Sequence, residues 1–368
     1  MKFSCDKYVL QQAAASAARA AAPKSPIAAL EGLLLEAGAD LRITGYDLKK
    51  AIYTNMEADI PEPGSVLVGA RLFCEMLRRM PDGIVTVEAE NGTVSVKCGK
   101  AAFNLVGLSA DDYPDLPTVE AENGVSLPQD LLKKMINECS FAVSTNESRP
   151  VYMGTLFEIA HNELTMVSVD GYRLALRREP VEGYGDDCSF IVPGTALSDL
   201  ERLCGDSDER VVLSVGSKHI SFTVGNTVIL SRRLEGDFLN YKKAIPESFR
   251  VTVKTARTDL LEVVERVSLI IDSKNNAPLR LTFRKDAIDF VCTTPLGKAA
   301  DSCPCEGDGG GLEIGFNDHY LSDALKAAPA DEINVCLNTG SSPCILVPAD
   351  GSDNFVYMVL PVRLRAGQ

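Results

Sequence analysis

The chain has 368 residues, 45% of them hydrophobic, and a formal net charge of −14. At about 100–200 residues per domain this length allows two to four domains; no stretch approaches the length of a membrane span, and no apolar run follows Lys2 as it would in a signal peptide. The acidic balance is the wrong sign for holding nucleic acid by phosphate contacts alone, and 11 irregularly spaced cysteines read as reduced thiols of a cytoplasmic protein, not as a disulfide framework.

In chain order, MKFSC predicts an opening strand and Tyr8 to Ala22 a helix. Leu33 to Ala51 (LLLEAGADLRITGYDLKKA) reads as a strand, a short polar turn and a second strand. From Ser65, SVLVGARLFCEMLRRMP is an apolar strand that breaks at glycine and turns into a helix, with Leu72, Met76 and Leu77 at helical spacing. The stretch IVTVEAENGTVSVKCGKAAFNLVG follows as a meander, and its Asn91-Gly92 pair predicts a tight hairpin turn with positive φ.

The same order then returns twice. Thr155 to Leu176 and Leu279 to Ala300 repeat the paired strands; Leu41, Leu164 and Ile288 keep one place in them, at steps of 123 and 124 residues. SFIVPGTALSDLERL from Ser189 and LEIGFNDHYLSDALKAAP from Leu312 repeat the strand-to-helix turn; Leu321, Ala324 and Leu325 repeat the helical spacing, and Gly225-Asn226 marks the matching hairpin. Val68, Val192 and Ile314 align there, at steps of 124 and 122. Two independent registers define a threefold internal repeat. Its units span residues 1–122, 123–246 and 247–364, and residues 365–368 read as an unstructured tail. Each unit predicts an α+β domain, one antiparallel sheet with two helices on one face. Three tandem units suggest an arc, which complementary ends can close head to tail.

Catalytic chemistry is not visible. His161 lies in a turn, His219 in a meander turn, and neither they nor His319 sit in a catalytic context. There is no Walker A loop, GxSxG elbow or HExxH. Gly309, Gly310 and Gly311 read as a flexible loop, Asp111-Asp112 and Asp186-Asp187 as solvated acids. Cys303 and Cys305 are two thiols where zinc takes about four ligands. No catalytic residue, metal or cofactor is expected.

Three stretches carry a resemblance: VDGYRLAL (Val169 to Leu176), YMVLPVRL (Tyr357 to Leu364) and GDFLNYKKAIP (Gly236 to Pro246). With MKF, KSPIAALEGLLLEA and ADDYPDLP, they are similar to signatures of the bacterial sliding clamps, the beta subunit of DNA polymerase III, over nearly the whole chain. The resemblance implies three clamp-type domains in each protomer and a head-to-tail homodimeric ring, with helices lining the hole and sheets outside. It implies a non-catalytic processivity factor, loaded onto double-stranded DNA by a clamp loader with ATP. Replicative and repair polymerases would bind it through a short peptide held in a cleft, in the cytoplasm and away from membranes.

By the same resemblance, Lys24, Arg71 and Arg78 match basic family positions; Arg79 adjoins them, and Asn146 and Arg149 lie in the TNESRP loop that the family places near DNA. Thr195 stands where the family often has lysine. The cleft would be floored by Tyr152, Val169, Gly171, Tyr172, Arg173 and Leu174, with Leu239, Lys243 and Ala244 from the connection between units. Ser342, Pro343, Met358, Val359, Leu360, Pro361, Val362 and Arg363 would complete it. Leu239 replaces a usual proline and Tyr152 a usual leucine, which alters the expected shape. Across the dimer joint, Phe103 and Leu105 would face Ile270 and Ile271.

The predicted helices together are close to neutral, although the chain carries −14. An acidic exterior with a near-neutral helical face makes closure, more than attraction, the way such a ring would hold DNA. The competing readings are a repeat-built scaffold that binds peptides without encircling DNA, which the net charge favours, and a metalloenzyme using Cys303 and Cys305.

Overall fold

The opening strand Lys2–Asp6 buries Phe3 and Cys5 while Lys2 and Ser4 stay half exposed, the alternation of a strand covered on one face. Asp6 then caps the helix Lys7–Ala18, its carboxylate accepting from the Tyr8 and Val9 amides at 2.8 and 3.2 Å. The helix stops at Ala18, short of the expected Ala22. The Arg19, Ala20 and Ala21 amides tighten onto carbonyls three residues back, and the Ala22 amide leaves for Leu30 O at 2.8 Å. Beside this end runs Gly45, where a side chain would collide with the Ala17 carbonyl. The computed structural model describes residues 1–119, 124–181, 187–272 and 277–364; the expected tail and Asp186 lie outside them.

The described residues form two compact units. The first holds residues 1–119, 124–133 and 195–233. It contains a five-stranded antiparallel sheet, in the order Asp59–Glu62, Lys2–Asp6, Ile84–Glu90, Thr93–Cys98, Ala101–Val106. Its eight-stranded sheet runs Gly124–Pro128, Arg210–Val215, His219–Val224, Thr227–Arg232, Lys50–Met56, Leu41–Tyr46, Gly32–Ala37, Gly64–Gly69. The helices Lys7–Ala18 and Ala70–Arg79 pack on these strands through Leu10, Ala14, Phe73 and Leu77 against Leu33, Ile43, Val85 and Val96, all fully buried.

The second unit holds residues 134–181, 187–194, 234–272 and 277–364. One ten-stranded antiparallel sheet runs through it: Cys188–Pro193, Gly154–Ala160, Glu163–Val169, Arg173–Pro180, Phe355–Val359, Cys344–Pro348, Glu332–Leu337, Val251–Ala256, Gly297–Phe316, Leu279–Thr294. The helices Arg257–Ser268 and Asp318–Ala327 belong to it, as does most of Gln129–Ser140.

The repeats are present, and the sheets run across their boundaries. Thr227–Arg232, the last meander strand of the second copy, pairs with Lys50–Met56 of the first, Leu230 opposite Ala51. Phe355–Val359, the last meander strand of the third copy, pairs likewise with Arg173–Pro180 of the second, Met358 opposite Leu174. Each copy also returns to the strand ahead of its second helix, through the bridges Leu67–Leu108, Ile191–Leu234 and Gly315–Val362, which set Phe316, two residues past the expected Ile314, in the place of Val68 and Val192.

Asn91-Gly92 closes the expected hairpin, whereas Gly225-Asn226 closes the next one of its meander, in the place of Gly99-Lys100, and the third copy departs from the expected strands. Asn91 and Gly92 both take positive φ, 51° and 75°, as the hairpin requires. In the third copy the two expected strands run on as the single strand Leu279–Thr294, whose register shifts on either side of Lys285. Gly309 to Gly311 are not a loop. Between the pairs Lys285–Asp308 and Phe283–Leu312, these three residues lie opposite Arg284 alone, a bulge in which Gly310 and Gly311 take φ of 59° and 75°.

Candidate functional site

Side chains alternate across the ten-stranded sheet, and the alternation separates two surfaces. On the face bearing the helices, Arg177 meets Glu138 of Gln129–Ser140, and the Tyr357 hydroxyl donates to Ala327 O at 3.1 Å. On the opposite face lies a continuous apolar cluster: Leu156, Val167 and Val169, Leu174 and Leu176, Ile345 and Val347, Val356 and Met358. The chain from Leu234 to Phe249 is laid across it, adding Phe238, Tyr241, Ala244 and Ile245. Asn240 caps the short helical turn Tyr241–Ala244 by accepting from the Lys243 amide at 3.3 Å, and the buried Tyr241 hydroxyl bonds to the Glu158 carboxylate.

One margin of this cluster is built by the turn at Asp170. Its carboxylate accepts from the Tyr172 and Arg173 amides at 2.9 and 3.0 Å and from Arg173 Nε at 2.9 Å. Gly171 takes φ of 95°, which the tight turn demands and a side chain would resist. The final segment docks on the same turn: the Leu360 amide donates to Tyr172 O and the Val362 amide to Gly315 O, both at 2.8 Å. Tyr172 stays 59% exposed and stacks on Tyr320, ring centroids 5.5 Å apart. Arg173 lies over the Tyr320 ring at 4.7 Å and pairs with Asp323 at 2.5 Å.

Of the expected cleft residues, Val169, Leu174, Met358, Ala244 and Leu360 share the apolar cluster. Tyr152 adjoins it, edge-on to Phe238 at 5.6 Å. Gly171, Tyr172, Leu239, Lys243, Val362 and Arg363 are exposed, and Pro361 is half-buried beside them in sequence. Ser342 and Pro343 sit in the turn before Cys344–Pro348, the Ser342 hydroxyl bonded to that of Thr339 at 2.7 Å. Arg173 and Val359 differ: alternation turns both side chains to the helix-bearing face, so neither floors the cluster. Sequence reasoning missed Leu156, Val167, Leu176, Ile345 and Phe238. Val167 and Leu176 fall on the same period of two as Val169 and Leu174, so strand alternation was the available signal for them.

The basic candidates are surface groups. Arg71, Arg78 and Arg79 are exposed on Ala70–Arg79, whose Phe73, Met76 and Leu77 are buried, and Lys24 is exposed in the chain after the first helix. Arg78 and Arg79 fall in the last turn, where the helix dipole favours cations. Among the described residues no carboxylate pairs with Lys24, Arg71 or Arg79 within 4 Å, and Arg78 stands 3.9 Å from Glu75. In the second unit Asn146 and Arg149 are exposed in one loop, the Arg149 amide donating to Asn146 O at 3.2 Å. Of the dimer candidates, Phe103 is exposed and Leu105 packs partly on the first core; Ile270 and Ile271 are half-buried just past Arg257–Ser268.

Cys303 and Cys305 are buried in a strand, and burial pushes the Cys303 thiol up to about 12, so it stays protonated at neutral pH. Among the described residues no cluster of three or more His, Cys, Asp or Glu side chains is arranged to hold a metal ion. No described helix is long and apolar enough to cross a membrane.

Comparison with known proteins agrees along the whole chain. The family profile described as DNA polymerase III beta subunit, N-terminal domain, matches residues 1–117; the central-domain profile matches 126–240 and the C-terminal one 242–363. A relative from Bacillus subtilis named beta sliding clamp is 30% identical over 378 residues, covering 99% of this chain and 100% of its own. One from Staphylococcus epidermidis, with the same name, is 31% identical over 357 residues, 94% of each chain. The crystal structure of the DNA polymerase sliding clamp from Bacillus subtilis superposes with a TM-score of 0.96 at 28% identity, covering 99% of this chain and all of the other. A sliding clamp from Pseudomonas aeruginosa bound to griselimycin gives 0.93 at 27% identity with the same coverage.

Proposed function

The chain belongs to the DNA polymerase III beta subunit family, the sliding clamps, and from that membership we propose that it works as a ring of two copies around duplex DNA. Its role is that of a sliding clamp, a non-catalytic subunit that keeps a polymerase on DNA. The observation that carries this reading is the match of three successive profiles, one for each repeat of the chain. The domains are read as residues 1–122, 123–246 and 247–364. A clamp loader would place the ring on DNA in the cytoplasm.

Ring closure is supported by the edges left at the two ends of the repeat. Ala101–Val106 ends its sheet. Among the described residues Gly297–Phe316 meets Val251–Ala256 at the single pair Lys254–Glu306, so its first half has a described strand along one edge. A strand edge invites another strand. Cys98–Ala101 and Val224–Thr227 close equivalent two-residue turns, which puts Ala101 in the place of Thr227. Repeating the first joint between two copies sets Phe103 opposite Ala299. Ile270 and Ile271 would lie on the helix side of this joint.

The apolar cluster under Leu234 to Phe249 is the proposed peptide cleft. It has hydrophobic depth at Val169, Leu174, Met358 and Leu360 and a polar rim at Tyr172, Ser342, Lys243 and Arg363, which suits a short partner peptide with aliphatic or aromatic anchors. Tyr152, Gly171, Leu239, Ala244, Pro343, Pro361 and Val362 shape its margins. Arg173 and Val359 support it from behind. Lys24, Arg71, Arg78, Arg79, Asn146 and Arg149 are the proposed phosphate contacts, few and independent of sequence, as sliding requires.

Electron microscopy of the purified protein tests the ring. The expected particles are closed rings with an opening wide enough for duplex DNA; open arcs at every concentration would contradict the closure.

A further inference from the structure

Two joints inside the chain share one construction, and the ends of the repeat call for a third between copies. At the second joint Arg173, which begins a strand of the second copy, pairs with Asp323 on a helix of the third. At the first joint Lys50, which begins the equivalent strand of the first copy, pairs with Asp199 on a helix of the second. The acids occupy one place, in Leu197-Ser198-Asp199 and Leu321-Ser322-Asp323; the helix of the first copy has Phe73-Cys74-Glu75 there. Three residues ahead of those acids stand Ala196, Tyr320 and Leu72.

The strand side aligns as firmly. The pairs Tyr46–Ala51, Val169–Leu174 and Thr293–Lys298 each enclose four residues, which brings Lys50, Arg173 and Gly297 into one place. One residue earlier stand Lys49, Tyr172 and Leu296. At the second joint those neighbouring places hold the stacked pair Tyr172 and Tyr320. At the joint between copies they would hold Leu296 and Leu72, which are 70% and 58% exposed in the single chain. Two large apolar side chains standing in water on the two faces that must meet is an arrangement that burial would relieve. The charged partner is missing at the same time, because Gly297 brings no base to Glu75.

We propose that Leu72 of one copy packs against Leu296 of a second copy, an apolar clasp that takes the place of the Tyr172–Tyr320 stack and stands in for the ion pair of the two inner joints. The clasp rests on the ring reading, and its test separates the two. Sedimentation equilibrium is run on the wild type, Leu72→Lys, Leu296→Glu and the double variant, with melting curves to check that each chain folds. Each single substitution is expected to weaken dimerisation at least tenfold, and the double variant to regain most of the loss, because the new lysine and glutamate meet at the same point. A wild-type dimer whose single variants dimerise equally well, or whose losses simply add in the double variant, overturns the clasp and leaves the ring standing. A wild type that stays monomeric across micromolar concentrations overturns the ring itself.

Discussion

Arg173 ties the second copy of the repeat to the third through Asp323, 150 residues away in sequence and 2.5 Å away in space. The same guanidinium holds the Asp170 turn at 2.9 Å and covers the Tyr320 ring, so one side chain fixes both the joint and the margin of the apolar cluster. Asp323→Asn removes the charge and keeps the shape. Because the Asp323 carboxylate is partly exposed, the expected loss is about 1 kcal/mol, a melting temperature lower by roughly 2–4 °C. An unchanged melting curve would show that the pair contributes nothing.

Glu138 behaves differently, because it is half-buried beside Arg177 and Arg177 also pairs with Glu179. Burial pushes its carboxyl above the ordinary 4.5, against the pull of the Arg177 guanidinium. A carboxyl raised in the folded state contributes stability that is present below its unfolded value and lost as pH rises through its folded value. Compared with Glu138→Gln, in which Arg177 keeps Glu179, the wild type should therefore lose stability as pH climbs from about 4.5 into the raised range. Melting curves of both proteins across that range check the sign; a wild type that gains on the variant with rising pH would reverse it.

The C-terminal segment should matter to partners and not to dimerisation. Removing residues 360–364 deletes Leu360 from the apolar cluster and the Val362 bond to Gly315, both distant in sequence from the strand Ala101–Val106. Fluorescence anisotropy with a leucine- and phenylalanine-bearing clamp-binding peptide is expected to show affinity lowered at least tenfold, about 1.4 kcal/mol, with the sedimentation of the dimer unchanged. Undiminished peptide affinity would move the cleft elsewhere.

Arg71→Ala with Arg78→Ala removes two exposed charges from a helix whose buried face is untouched. Retention on circular DNA should fall modestly, and more at low salt than at high, since each lost phosphate contact flattens the salt dependence by roughly one unit of slope. Identical salt profiles for variant and wild type would mean that these arginines do not touch DNA.

The repeat was legible because each copy keeps its core-facing residues at fixed distance from its turns: Leu41, Leu164 and Ile288 are all fully buried in strands. Of the expected cleft residues, the motifs bring Leu174 and Met358 onto the apolar cluster. Arg173 and Val359 lie on the other face, because a strand turns every second residue of a run to each side. The sheets that cross repeats were not legible. Pairing Thr227–Arg232 with Lys50–Met56 satisfies backbone edges, which leave no hydrophobic period in the sequence. The bulge at Gly309 to Gly311 resembles a loop in sequence, because glycine runs signal irregular backbone without saying whether a strand continues on either side.

Retention on a closed DNA circle is the direct test of encirclement. The protein, loaded by its clamp loader with ATP onto a nicked plasmid, is passed over a sizing column before and after a restriction enzyme opens the circle. Co-elution with the circle and release from the linear form are the expected result, since a ring held by topology slides off an end. A protein that never stays with the circle, or stays equally with linear DNA, would contradict encirclement.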